Sequence, residues 1–309
     1  MSAYAGIDVS KATLQIALYP QTDDLSVANT PEGLASAMDY FRAHDVHHVL
    51  MEATGGYEKL AVRLLAGAGF KVQRVNPVRA RSYALSMNKR AKTDKIDARI
   101  LARFAANLDE EPCCQPDADR EELTQLVNQR ESLVQQRDDN RRRIKQADSA
   151  FVQQTYKTLE VQLQMLIKSC GKQIAQQTRK INAQLMGQLT AIKGIGPVTI
   201  ASLFCYLPEL GDLSRQQVAA LVGVAPYNND SGTKSGKRSI YGGRAKLRRA
   251  AYMSVLVMVR HNPDFKARYE QLCNRGKAKK VALVACMRVL LVRLNAMVRE
   301  GTPWRDQPV

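Results

Sequence analysis

A stretch in the middle of the chain, residues 118–188, is almost free of residues that break helices. It contains no proline and only two glycines, and it is rich in Gln, Arg and Glu. Its aliphatic residues recur at seven-residue intervals, at Leu126 and Leu133, at Val127 and Val134, and at Ile167, Ile174 and Ile181. This spacing is typical of long helices that bury one apolar stripe. We predict a helical coiled-coil segment over 117–188, a hairpin that pairs between chains, with a solvated helical spacer as the alternative.

The residues before this segment alternate between strand and helix patterns. Residues 13–18 have the two-residue period of a strand, and with the apolar segment before Asp8 they predict a hairpin that opens a sheet. Thr30 followed by Pro31 is a typical helix start, because threonine caps a helix and proline suits its first turn. This order predicts an α/β domain with a mixed sheet over 1–110.

Charge singles out the end of the chain, where we predict a third, mostly helical domain over 189–309. The formal net charge of the chain is +17, and residues 231–309 contain 18 Lys and Arg against 4 Asp and Glu, a net charge of +14. Such a surplus indicates a polyanionic partner. Nucleic acid fits better than a membrane surface, because this segment lacks the bulky Trp and Phe face of an interfacial helix.

Membrane insertion and export are not indicated by the sequence. The longest apolar run near the C-terminus, residues 281–287, stops at Arg288, well short of the roughly 18 residues that span a bilayer. Asp8 and Lys11 interrupt the N-terminus before the core of a signal peptide could form. We expect a cytoplasmic protein without a membrane partner.

Four acidic residues of the first domain stand out by their positions. Asp8 lies within an apolar strand and Glu52 ends the apolar run 49–51, although burying a carboxylate is costly unless a partner compensates it. Asp94 and Asp97 are three residues apart at the head of a helix and therefore project from one face. Acids that converge from two strands and a helix can hold Mg²⁺, and two such ions can clamp the attacking and leaving oxygens of a phosphodiester.

Each acid also has a structural interpretation. Asp8 could be a turn residue, Glu52 could cap the following helix, and the two aspartates could favour a helix N-terminus. A group of basic residues just before Asp94 supports the metal interpretation, because it offers an approach for a nucleic-acid backbone. These residues are Arg79, Arg81, Lys89, Arg90 and Lys92.

Several segments together form a recognisable pattern. In the first domain they are residues 6–11, 52–57, 75–77 and 92–99, and later in the chain they are residues 194–197, 221–226 and 231–253. The combination resembles the DEDD transposases of the IS110 insertion-sequence family, a group that also includes Piv-type DNA invertases. The resemblance extends over nearly the whole chain.

The resemblance implies a RuvC-like (RNase H-like) fold for the first domain and a basic helical transposase domain at the end. It makes Asp8, Glu52, Asp94 and Asp97 the metal-binding catalytic tetrad, with Mg²⁺ as cofactor, and Ser231 the nucleophile. The implied function is site-specific recombination through a phosphoserine intermediate. The implied partners are donor DNA, target DNA and a guide noncoding RNA encoded by the element.

The segment around Ser231 is rich in glycine and in basic residues. Glycine allows a phosphate to approach the backbone closely, and basic side chains offset its charge. The candidate phosphate contacts are Lys234, Lys237, Arg238, Arg244, Lys246, Arg248 and Arg249. The residues alone favour a basic, solvated loop that only contacts phosphates, with Ser235 and Ser239 as equal candidates for the nucleophile. Only the resemblance favours Ser231.

More than 100 residues separate Asp97 from Ser231. We therefore expect a homo-oligomer, a dimer or tetramer, in which the serine of one protomer completes the tetrad of another. Three other functions are consistent with the sequence. They are a metal-dependent nuclease resembling a Holliday-junction resolvase, which needs no serine, a Piv-like DNA invertase, and a non-catalytic nucleic-acid-binding protein.

Overall fold

The structure, a computed structural model, describes residues 3–88, 93–108, 117–228, 236 and 238–304. It divides into two compact units, Met1–Asp117 and Ala118–Val309. Six of the predicted site residues lie outside the described residues, namely Lys89, Arg90, Lys92, Ser231, Lys234 and Lys237.

The first unit is built on a mixed five-stranded sheet. Its strands are β1 (Ala3–Val9), β2 (Thr13–Tyr19), β3 (Asp24–Ala28), β4 (Val46–Glu52) and β5 (Lys71–Val75). They lie in the order β3-β2-β1-β4-β5, in which β3, β2 and β1 are antiparallel neighbours and β1, β4 and β5 run parallel. The predicted hairpin and mixed sheet are confirmed.

Two helices cover each face of this sheet. The helices are α1 (Pro31–Ala43), α2 (Lys59–Gly67), α3 (Pro77–Ser86) and α4 (Asp94–Ala106). The core on one face combines α1 and α2 with residues such as Ile7 of β1, and the core on the other combines α3 and α4 with Leu50 of β4. As predicted, Thr30 caps α1, where its side chain accepts a hydrogen bond from the Gly33 backbone nitrogen.

Helix α3 begins at Pro77, two residues after the end of β5. Asn76 adopts an extended conformation and its side-chain oxygen accepts a hydrogen bond of 2.8 Å from the Val78 nitrogen. Pro77 then occupies the first helical turn, where its missing N–H costs nothing. The same proline that stops β5 therefore starts a helix.

The second unit begins with a long helical hairpin. Its helices are α5 (Ala118–Gln146) and α6 (Ala150–Thr190), and the seven residues of the predicted heptad spacing are all buried or half-buried. Between the helices, the amide nitrogen of Asn140 donates a hydrogen bond of 2.7 Å to the Tyr156 carbonyl. Asn182 interrupts α6 with a non-helical backbone, and its side chain caps the remaining segment by accepting from the Leu185 nitrogen. The helices thus pair within one chain, and a coiled coil between chains stays a prediction.

The rest of the second unit is mostly helical. It comprises α7 (Pro197–Tyr206), α8 (Arg215–Val222), β6 (Pro226–Tyr227), β7 (Ser239–Ile240), α9 (Ala245–His261), α10 (Pro263–Asn274) and α11 (Lys279–Glu300). These helices share one apolar core with α5 and α6. Because this core includes residues of both predicted regions, 117–188 and 189–309, it does not mark a boundary between them. That boundary stays a prediction.

Helix α11 is longer than its uninterrupted apolar run suggests. Among the described helices, it is long and apolar enough to cross a membrane by length and composition. Counting uninterrupted apolar residues missed this, because Arg288 and Arg293 punctuate an otherwise apolar sequence. Half of the apolar window is buried inside the unit, with Leu290 and Leu294 in the core, and a core helix passes the same test.

Candidate active site

Asp8 and Glu52 lie side by side at the ends of the two central parallel strands. The register of β1 and β4 pairs Gly6 with Leu50 and Ile7 with Met51, so the next residue of each strand is one of the two acids. Alternation along the strands puts both on the face that α4 covers, and both are half-buried. The predicted convergence of acids from two strands therefore occurs.

Helix α4 comes unusually close to β1 because residue 6 is glycine. A Cβ atom at Gly6 would lie 2.1 Å from the Ala98 carbonyl oxygen and 2.2 Å from the Ala102 nitrogen. The first turn of α4 starts at Thr93, whose hydroxyl accepts a hydrogen bond of 3.3 Å from the Ile96 nitrogen. Close packing at Gly6 therefore brings this turn to the strand end that bears Asp8.

A pocket of about 550 Å³ joins two of the predicted acids. Glu52 and Asp97 both line it, together with Arg81 and Ser82 of α3 and an apolar floor that includes Leu101. Asp94 is exposed at the first residue of α4 and is not among the lining residues. The pocket is thus an open, partly acidic cleft with a basic side chain on its wall.

The four acids do not form a closed ligand cluster. Within the part of the chain that the structure describes, no three His, Cys, Asp or Glu side chains come close enough to hold a metal ion. The donor chemistry nevertheless suits Mg²⁺, which takes oxygen ligands and is satisfied by one or two carboxylates together with water and substrate phosphate. Asp8 and Glu52 are neighbouring carboxylates at the strand ends, and Asp97 shares a pocket with Glu52, so pairs of these residues match that requirement.

A fifth acid, Glu58, was missed by the sequence reading. It is 4% exposed, and its carboxylate accepts hydrogen bonds from the backbone nitrogens of Thr54 at 3.2 Å and Gly56 at 2.9 Å. The Arg74 guanidinium lies 3.6 Å away. Gly55 and Gly56 both have positive φ, which lets the loop after Glu52 fold around this carboxylate. Glu58 therefore organises the loop that follows Glu52.

Two basic residues of the predicted approach are described, and both lie on the exposed side of α3. Arg81 borders the acidic pocket, and the Arg79 guanidinium lies 5.8 Å from the centre of the Phe104 ring. A guanidinium over an aromatic face is held by a cation–π interaction.

Three basic residues of the second unit have partners within the fold. The Arg244 guanidinium contacts both carboxylate oxygens of Glu209, at 2.6 and 2.7 Å, and the Lys246 ammonium lies 3.0 Å from Glu131. Arg248 donates to the carbonyls of Val222 and Gly242. Although burial favours the neutral acid, the hydrogen bonds from Arg244 lower the pKa of Glu209 below its ordinary value.

Arg238 and Arg249 are exposed. Arg249 makes no ion pair with any residue that the structure describes, which leaves it available to a phosphate. Gly223 and Gly243 are in close contact, because a Cβ atom at Gly243 would lie 2.3 Å from the Gly223 nitrogen. Strands β6 and β7 lie between these two glycines in the sequence, before and after Ser231, and they pair with Tyr227 opposite Ser239.

Comparison with known proteins identifies the family. A transposase model for the DEDD group of IS110 elements matches residues 5–156, and a second model, described as the transposase IS116/IS110/IS902 family, matches residues 186–270. The pilin gene-inverting protein of Moraxella lacunata is 30% identical over 97% of each chain, and that of Moraxella bovis is 31% identical over the same share. The chain belongs to the IS110 transposase family.

A Streptomyces coelicolor protein of insertion element IS110 matches more narrowly, at 32% identity over 37% of this chain. Membership of the IS110 family makes the chain a DNA recombinase or transposase enzyme, so the predicted resemblance and enzyme class are confirmed. Of the two matched regions, the first contains Asp8, Glu52, Asp94 and Asp97, and the second contains Ser231. The individual roles of these residues stay predictions.

Proposed function

We propose that the protein is a site-specific recombinase that cleaves and rejoins DNA strands through a phosphoserine intermediate, with Mg²⁺ held by Asp8, Glu52, Asp94 and Asp97. The observation that supports this most directly is the pairing of Asp8 and Glu52 at adjacent strand ends, with Asp97 in the same pocket as Glu52. In this proposal the mixed sheet with helices on both faces is a RuvC-like domain.

The acids and the basic side chains of the cleft have different roles at the phosphodiester. When bound, Mg²⁺ supplies charge neutralisation at the phosphate. Asp8 and Glu52 would hold the cation from the sheet, and Asp94 and Asp97 would hold it from the first turn of α4. Arg81 on the wall of the pocket and the exposed Arg79 orient the strand by contacts with its backbone.

Ser231 conserves the energy of the phosphodiester bond. Its hydroxyl oxygen forms a bond to phosphorus while the bond from phosphorus to one strand oxygen breaks, and the proton lost by the serine is balanced by one gained by the departing oxygen. A hydroxyl of another strand then attacks the phosphoserine and returns the serine. Because one phosphoester replaces another at each step, no external energy source is needed.

The partners follow from the same proposal. Donor and target DNA are the substrates, and a guide noncoding RNA selects them. The surface of α6 includes Phe151, Val161, Met165 and Leu166, each more than half exposed, which supports coiled-coil pairing between chains in a dimer or tetramer. Composite active sites then combine the tetrad of one protomer with the serine of another, in the cytoplasm where the DNA lies.

DNA inversion is a second candidate, and one observation favours it. Two relatives that match over 97% of each chain are named as pilin gene-inverting proteins. Inversion and transposition use the same cleavage and rejoining chemistry and differ in the arrangement of the recombining sites. The DNA that flanks the gene distinguishes them, since element ends indicate transposition and inverted repeats around a coding segment indicate inversion.

Trapping the covalent complex tests the chemistry. The full-length protein is incubated with Mg²⁺, RNA transcribed from the noncoding DNA beside the gene and labelled DNA containing the flanking junctions, then denatured and separated by electrophoresis. Wild type and Ser239→Ala, a control serine on β7, should give a protein–DNA adduct, and Ser231→Ala and Glu52→Gln should give none. Unchanged cutting by Ser231→Ala without any adduct would instead identify a nuclease of the resolvase type.

A further inference from the structure

Asn29 connects the loops that follow the two acid-bearing strands. It comes directly after β3, and its side-chain nitrogen donates hydrogen bonds to the Ser10 carbonyl at 3.0 Å and to the Tyr57 carbonyl at 3.1 Å. Ser10 is two residues beyond Asp8, and Tyr57 is five residues beyond Glu52. A single amide group therefore ties the end of β1 to the loop after β4.

The orientation of this amide follows from its partners. Backbone carbonyls only accept hydrogen bonds, so the nitrogen of Asn29 and not its oxygen must face Ser10 and Tyr57. The main chain of Asn29 is fixed as well, because its own nitrogen donates to the Ala12 carbonyl at 2.9 Å. Hydrogen bonds from the main chain and from the side chain therefore both fix the position of Asn29.

The other atom of the amide suggests why asparagine stands here. Its Oδ1 is buried and accepts no hydrogen bond from the described residues. A buried acceptor without a partner is unfavourable, but an apolar residue at this position would instead deprive the Ser10 and Tyr57 carbonyls of the hydrogen bonds that Asn29 donates. The two donated bonds, which an apolar residue could not make, are therefore the feature that joins the two loops.

We propose that Asn29 is a positioning residue of the recombination site, which holds the strand ends so that Asp8 and Glu52 meet one divalent cation. The inference rests on the proposed metal-binding function of these acids. Glu58 orders the loop after Glu52 internally, whereas Asn29 ties that loop to β1. Residues that orient metal ligands change metal affinity by about 10–100-fold when they are replaced.

The experiment measures metal binding apart from catalysis. Free Mn²⁺ is quantified by electron paramagnetic resonance in titrations of full-length wild type, Asn29→Ala and Asn29→Asp, and cleavage is measured against Mg²⁺ concentration. Asn107 supplies the matched control, since its amide also donates to a backbone carbonyl, that of Arg103 at 2.8 Å. It lies ten residues beyond Asp97 along α4, about 15 Å away along the helix axis.

We expect Asn29→Ala and Asn29→Asp to bind Mn²⁺ about 10-fold more weakly or worse, and excess Mg²⁺ should restore part of their cleavage rate. Asn107→Ala should match wild type in both titrations. Equal Mn²⁺ affinity for wild type and the Asn29 variants would overturn the inference, as would loss of the folded state in both variants. If Glu52→Gln binds Mn²⁺ as wild type does, the proposed metal site itself fails, and Asn29 loses its proposed role with it.

Discussion

Gly6 of β1 lies directly beneath Ala98 of α4, and a Cβ atom on residue 6 would lie 2.1 Å from the Ala98 carbonyl oxygen. This close contact sets the distance between α4 and the sheet. Asp97 precedes Ala98 in the helix, and Asp8 is two residues beyond Gly6 in the strand. The absence of a side chain at one position therefore determines how closely the acids of helix and sheet can approach each other.

Gly6→Ala should lower the free energy of unfolding of the first unit by about 3 kcal/mol or more, because the obstructing atoms belong to the backbone of a packed helix and cannot rotate away. Hydrogen exchange of first-unit peptides against urea concentration measures this. Gly67→Ala is the control, since no atom lies within 4 Å of the added methyl group in α2. Its stability should be unchanged or slightly raised, and an equal loss in both variants would contradict the role of Gly6.

Glu58→Ala should destabilise the first unit by about 2–3 kcal/mol, because it removes the acceptor for the Thr54 and Gly56 nitrogens and leaves Arg74 without its carboxylate. The same exchange assay applies. Asp39→Ala removes an exposed pair with Arg42 at 3.0 Å and should change stability by less than about 0.5 kcal/mol. A loss of similar size in both variants would show that the Glu58 contacts contribute little.

The elements that position the acids could be predicted from local patterns. The apolar residues around Asp8 and the apolar run before Glu52 placed both acids in strands, and the pair Asp94 and Asp97 marked the start of α4. These signals lie within a few residues of each acid. Periodicity and capping are local properties, so they predicted the elements without knowledge of the fold.

The contacts that refine the site could not be predicted in this way. Asn29 bonds to carbonyls 19 and 28 residues away, and Arg244 pairs with a carboxylate 35 residues earlier. Such pairs depend on how strands and helices are stacked, which no local pattern encodes. The heptad spacing had the same limit, since it predicted the helices correctly, whereas the predicted pairing between chains stays a prediction.

Stability of the first unit should fall as the pH drops below about 6.5. Burial, followed by the positive charge of Lys71, lowers the pKa of His48 below its ordinary value of 6.5. The folded state therefore keeps His48 neutral while the unfolded chain takes up a proton, and the contribution is complete above pH 6.5 and lost progressively below it, by at most about 1.4 kcal/mol per pH unit.

Urea-dependent hydrogen exchange of first-unit peptides at pH 7.5 and 5.5 measures this fall, and His48→Gln should reduce it. His47→Gln is the matched control on the same strand, because the His47 side chain is 58% exposed. An identical pH dependence in wild type and His48→Gln would show that other groups cause the loss.

We expect Arg244 to contribute to stability and Arg249 to contribute to DNA binding, although the sequence suggested both as phosphate contacts. Arg244→Ala leaves Glu209 half-buried without its guanidinium, and it should lower the free energy of unfolding of the second unit by about 2 kcal/mol. The fluorescence of Trp304, the single tryptophan, reports this unit because its ring stacks on Phe265 with centres 6.5 Å apart.

Arg249→Ala should leave stability within about 0.5 kcal/mol of wild type and weaken DNA binding. Each phosphate contact contributes about one to the slope of log affinity against log salt concentration, so that slope should become shallower by about one. Fluorescence anisotropy of labelled duplex DNA at several salt concentrations measures it. If Arg249→Ala keeps the wild-type slope, the exposed side of α9 is not a phosphate-binding surface, and the basic surplus of this unit contacts DNA elsewhere.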